Sequence, residues 1–159
     1  MTTLPMTKIL NLAKLDRKLK RLPAVAKAEI KSGMEVAANE IVAMMKSLVA
    51  VDEGKLRDSI GWTWGKAPKG SLAVAVLKSG MAADLTLTIF AGNAEAYWAR
   101  WVEFGTKPHD NAGKFAGTKN PGTKARPFFY VSWRANQRAA KSHIRKSVRK
   151  SVKKVAAGG

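Results

Sequence analysis

An α+β fold is predicted for this 159-residue chain by three observations: helical spacing of apolar residues in its first third, period-two alternation in its middle, and a long helical pattern at its end. The expected arrangement has N-terminal helices and a long C-terminal helix packed on a small antiparallel β-sheet. A long loop precedes the last helix, and the basic end of that helix is expected to protrude.

Leu12, Leu15, Leu19 and Leu22 recur at three- and four-residue spacing until Pro23 interrupts them and starts the next helix. There Ile30, Met34, Ala37, Ile41, Met44 and Leu48 fall on one narrow arc and make a core-facing stripe. Its methionines read as packing residues. Val51-Asp52-Glu53-Gly54 ends the pattern with a turn. Residues 60–64, 72–77 and 85–90 read as strands, the last two forming an antiparallel hairpin. Residues 95–104 form a short helix stopped by Gly105.

Residues 105–126 hold four glycines, two prolines and the basic Lys107, Lys114, Lys119, Lys124 and Arg126, with almost no apolar periodicity. Connections of this length without structure of their own are usually functional or disordered, so this loop is expected to order on a partner. In the last helix Phe128, Val131, Ala135 and Ala139 make an apolar stripe whose continuation is polar, whereas Ile144, Val148, Val152 and Val155 form a second stripe on another side. One helix does not bury opposite faces in one small core, so the half from Lys141 onward is expected to leave it. The expected organisation is a single domain over residues 1–140 and a basic helical extension over 141–159.

The 29 Lys and Arg residues against 11 Asp and Glu give a net charge of +18, which points to polyanions or acidic protein surfaces as partners. No cysteine is present, so disulfides, thiolate zinc sites and cysteine nucleophiles are excluded. No apolar run reaches the roughly 18 to 20 residues that span a bilayer, and no membrane role is expected. His109 and His143 lack metal-ligand spacing and are expected at the surface. No catalytic residue, metal site or cofactor site is expected, because neither a nucleophile set nor a phosphate loop is present. Glu103 is expected in a structural ion pair with Arg126 or Arg100. No acidic residue follows Asp110, so loop and helix form one basic region that suits non-specific contact with DNA phosphates.

Three motifs occur in order: Gly54-Lys55-Leu56-Arg57-Asp58-Ser59-Ile60, Glu103-Phe104-Gly105-Thr106 and Ala125-Arg126-Pro127-Phe128. In this order the chain resembles the neck and tail-completion proteins of long-tailed, siphovirus-type bacteriophages, the lambdoid minor tail-component family. The resemblance implies a non-enzymatic virion protein that completes the tail and joins it to the head connector, as a hexameric ring around the DNA channel. Its implied partners are copies of itself, other neck and connector proteins, and tail-tube or terminator proteins. It would be assembled in the host bacterial cytoplasm and reside at the head–tail junction. The alternatives are a tail terminator that caps the tail tube and a free-standing basic DNA-binding protein.

Three groups of residues are expected to carry such a role. Tyr97, Trp98, Trp101, Phe104 and Phe128 form a hydrophobic platform that, with Glu103, Gly105 and Arg126, braces the loop. Lys107, Lys114, Lys119 and Lys124 contact neck or tail partners. Arg138, Lys141, Arg145, Lys146, Arg149, Lys150, Lys153 and Lys154 meet acidic connector surfaces or DNA.

Overall fold

The computed structural model describes residues 24–78 and 85–157. Its elements are α1 (Ala24–Leu48), α2 (Lys55–Asp58), β1 (Gly61–Trp64), β2 (Leu72–Lys78), β3 (Thr86–Ala91) and α3 (Ala99–Phe104). After α3 come β4 (His109–Asp110), a 3-10 turn (Gly113–Phe115), β5 (Lys119–Asn120) and α4 (Phe129–Ala156). The fold is α+β, as expected. The stripe from Leu12 to Leu22 and the proposed helix start at Pro23 lie outside the described residues.

The three main strands are antiparallel in the order β1-β3-β2, so β3 is central and the expected pairing of β2 with β3 forms. Register places Trp62 and Trp64 of β1 beside Ile89 and Leu87, which in turn sit beside Ala75 and Leu77 of β2. Period-two alternation thus sends one row of apolar side chains to a single face. Leu77, Leu87 and Ile89 are buried there, each contributing roughly 1.5–3 kcal/mol. Helix α1 covers that face: Trp62 Nε1 donates to Asn39 Oδ1 at 2.8 Å, and Lys31 Nζ lies 5.2 Å from the centre of the Trp64 ring.

Ile30, Met34, Ala37 and Ile41 are buried as predicted, but the end of the α1 stripe differs. Met45 and Val49 take the inner positions, leaving Met44 half-buried and Leu48 exposed. Met44 instead accepts a 3.0 Å hydrogen bond from Asn136 Nδ2 of α4.

Helix α4 runs antiparallel to α1 along its length. Contacts progress from Met44 and Asn136 through Glu40 and His143, then Gly33 and Ser147, to Glu29 with Lys150 and Lys154. The expectation of a protruding basic end is therefore corrected: α4 is unbroken across residue 140 and stays against α1 beyond Lys141. The predicted stripe is also misplaced, since Val131, Ala135 and Ala139 are exposed. The buried side carries Phe129, Ser132, Ala140 and Ser151, with Asn136, Ile144, Ser147 and Val148 half-buried.

The cause of the misreading is chemical. Ser132 Oγ donates to Phe128 O and Ser151 Oγ to Val148 O, so the hydroxyls return to their own helix and leave a small surface for α1. Close approach follows. A methyl group at Gly33 would stand 2.6 Å from Ser147 Cβ and collide with its hydroxyl. Gly33→Ala is therefore expected to destabilise the fold by about 1–3 kcal/mol. Urea unfolding of Gly33→Ala, Ser147→Gly and the double variant tests this: the double variant recovers stability relative to the sum of the two single losses.

The Glu29 carboxylate accepts from Lys150 Nζ at 2.7 Å and Lys154 Nζ at 2.6 Å. These hydrogen bonds, Lys150 first, hold its pKa below the ordinary 4.5. The stabilisation is complete above the ordinary value and is lost as pH falls through the lowered one. Glu29→Gln is expected to flatten this part of the acid unfolding curve, read by circular dichroism from pH 6 downward.

Candidate subunit interface at the arm

Residues 105–126, expected as an unstructured loop, form a two-stranded arm. His109 pairs with Asn120 and Asp110 with Lys119. Two Gly-Thr pairs build its root. Thr106 N donates to Thr123 O at 3.0 Å, Thr123 N returns to Thr106 O at 3.2 Å, and the two hydroxyls lie 3.1 Å apart. Gly105 has φ 70°, and a Cβ there would meet Thr123 O and Ala125 N at 2.5 and 2.7 Å, so the crossing of the two segments requires glycine. Further out, Asn111 N donates to Thr118 O and its side chain donates to Thr118 Oγ1, both at 2.9 Å. Phe115, at the tip, is 70% exposed.

The base of the arm is set by α3 and the start of α4. Ala99 and Glu103, four residues apart, face inward on α3 and are buried. Glu103 is 3% exposed. Its Oε2 accepts from the backbone N–H groups of Phe128 and Phe129 at 2.8 and 2.9 Å, and Oε1 accepts from Tyr130 N at 3.0 Å. The expected ion pair with Arg126 or Arg100 is thus replaced by a helix cap supplied from a different helix. Three donors at the start of α4 lack intrahelical partners, and the carboxylate satisfies them at the positive end of the helix. Pro127 has no N–H to satisfy. Arg126 braces the arm through its backbone, donating N–H to Val102 O at 2.8 Å.

The predicted aromatic platform divides. Phe128 is fully buried and Trp98 half-buried, whereas Tyr97, Trp101 and Phe104 are 57%, 50% and 53% exposed. Tyr97 packs edge-on against Trp98 and Trp101 with ring centres 5.6 and 5.5 Å apart, and Phe104 tilts against Tyr130 at 5.7 Å. Beside them a groove of about 780 Å3 runs between residues 50–57 and the arm's root, with Val51, Leu56, Trp98, Trp101 and Val102 among its walls.

Lys107, Lys114, Lys119 and Lys124 are all exposed along the arm. On α4, Arg138, Lys141, Arg145, Lys146, Arg149 and Lys153 are exposed, but Lys150 and Lys154 are engaged by Glu29 within the chain. His109 is exposed and bonds Lys107 O at 3.0 Å, while His143 is half-buried with Nε2 3.2 Å from Glu40 Oε1. Among the described residues no group of three or more His, Asp or Glu is placed to hold a metal ion, and no helix is long and apolar enough to cross a membrane. The capping role of Glu103 and the outward Arg134 were missed; the repeated Gly-Thr pairs at 105, 117 and 122 signalled the arm's turns.

Residues 13–105 match the model of a protein family described as "Bacteriophage HK97-gp10, putative tail-component". The chain belongs to the HK97-gp10-like family. Membership makes this chain a structural component of a bacteriophage tail and so a virion protein. The match takes in α1, the sheet and α3, and ends at Gly105, where the arm starts. Comparison with curated proteins and with solved structures gave no match.

Glu103→Ala is expected to lower stability by about 2–4 kcal/mol, since three backbone N–H groups, two of them in buried bonds, lose a charged acceptor. Glu103→Gln, which keeps the shape without the charge, is expected to lose less. Guanidinium unfolding midpoints of the two variants check the order.

Proposed function

We propose that this HK97-gp10-like protein is a neck subunit that completes the tail and joins it to the head connector as a closed ring, through its arm. The observation that carries the reading is an arm with a fixed root and almost no burial of its own. It stretches roughly 20–25 Å from Thr106 to its tip at about 3.3 Å per residue. A two-stranded ribbon without an apolar face is marginal in water, so a surface that receives it supplies what its own core does not.

Ring assembly needs one surface of a subunit to meet a different surface of its neighbour. The arm, tipped by the exposed Phe115, is one such surface, and the aromatic face of Tyr97, Trp101 and Phe104 beside the groove is another. The exposed arm lysines would meet acidic groups on neighbouring neck or tail proteins. Phosphate chemistry and bond cleavage have no part in this reading; the role is structural.

The test shortens the arm without touching its root, replacing residues 111–118 by an Asn-Gly turn between Asp110 and Lys119. The variant is expected to keep its unfolding midpoint. In a phage lacking its own copy, complementation should leave filled heads and tails of normal length unjoined under the electron microscope. Normal yields of joined particles would overturn the arm-contact reading, and overlong tails would assign the protein to tail capping instead.

A further inference from the structure

Helix α4 carries nine lysines and arginines and no acidic residue. Their distribution around the helix is uneven. At about 100° per residue, Arg134, Arg138, Lys141, Arg145 and Arg149 fall within an arc of about 80° and over about 22 Å of axis. That arc is opposite the side holding the buried Phe129, Ser132, Ala140 and Ser151, so it faces away from α1. All five are exposed, and none of the ion pairs among the described residues involves them. The acids of α1 reach only the flank, where Glu29 takes Lys150 and Lys154 and Glu40 takes His143.

The composition of the stripe separates two classes of partner. Stable protein interfaces are centred on buried apolar or aromatic anchors. This surface has no aromatic residue, and its larger apolar residues, Val131 and Val152, stand singly at its two ends. Four of its five cations are arginines, whose planar guanidinium groups match phosphate oxygens in pairs. Successive members lie three or four residues apart, a step of about 4.5–6 Å along a straight helix. We propose that this stripe binds duplex DNA through its phosphates, without reading base sequence. The inference stands on α4 alone and does not depend on what the arm contacts.

Binding of this kind releases counterions, and five phosphate contacts predict a slope of about −4.5 in log affinity against log salt. Affinity then falls roughly 500-fold between 50 and 200 mM salt. The experiment is fluorescence anisotropy of the full chain with short labelled duplexes of two unrelated sequences. Two variants remove equal charge: Arg138→Gln, Lys141→Gln, Arg145→Gln and Arg149→Gln on the stripe, or Lys107→Gln, Lys114→Gln, Lys119→Gln and Lys124→Gln on the arm. The stripe variant is expected to flatten the slope by about 3–4, the arm variant by less than about 1, with both duplexes bound alike. Equal losses from the two variants would reduce the effect to net charge and overturn the site. So would a marked preference for one sequence, or capture of a labelled polyglutamate peptide in place of DNA. Should the fourfold stripe variant lose helicity by circular dichroism, the pairs Arg138→Gln with Arg145→Gln and Lys141→Gln with Arg149→Gln replace it, each expected to flatten the slope by about 2.

Discussion

The carboxylate of Glu103 fixes the relation between three parts of the molecule that share little else. A buried anion is tolerated only where hydrogen bonds and opposite charge replace the water it has lost. Here the replacement is the start of α4, with three backbone N–H groups converging on two oxygens. The consequence reaches past the helix start. Glu103 lies two residues before Gly105 and Arg126 two before Phe128, so the same contact brings both ends of the arm together. Once α3 and α4 are joined there, the Gly-Thr pairs have only to cross and hydrogen-bond, and the direction of the arm follows from the helices.

The second constraint is the close approach of α1 and α4. Glycine at 33 and serines at 132, 147 and 151 keep that seam thin, and the Ser132 and Ser151 hydroxyls bond their own helix, which removes the penalty of burying them. A thin seam has an electrostatic result. Glu29 on α1 comes near enough to neutralise Lys150 and Lys154 on one flank of α4, and Glu40 lies beside His143, yet the helix itself screens the outward arginines from them. The charge of the described residues is thereby sorted: pairs stand along the seam, and a stripe without ion pairs among them lies on the opposite side of α4.

How much of this was legible follows from which forces left a periodic trace. Helix α1 and strands β2 and β3 bury regular apolar rows, and Ile30, Met34, Ile41, Leu87 and Ile89 announce them by spacing alone. The buried side of α4 is different, because Ser132, Asn136, Ser147 and Ser151 look solvent-facing to any reading based on apolarity. Val131 and Ala139 then drew the predicted stripe to the wrong side, and the rest of the helix was expected to leave the core. The arm is held by hydrogen bonds between threonines, asparagine and backbone, an arrangement with no hydrophobic period to find. Glu103 was recognised as structural, but its partners are peptide N–H groups, which carry no side-chain identity for a sequence to display.

These differences in cohesion bear on what each part can present to a partner. The portion matched by the family, through Gly105, contains the sheet and α1, where every buried side chain restricts its neighbours. The arm and the outer face of α4 lie beyond the matched residues and bury little, so their side chains are free of the packing demands that shape the core. Both are nevertheless anchored to the fold, one by the hydrogen bonds of its root at Thr106 and Thr123, the other by the seam with α1. Surfaces held firmly in place but unconstrained in chemistry are suited to contact, since ordering them on a partner costs less entropy than ordering a free segment. Glu103 stands where the constrained half meets the unconstrained one and passes the order of the first to the second.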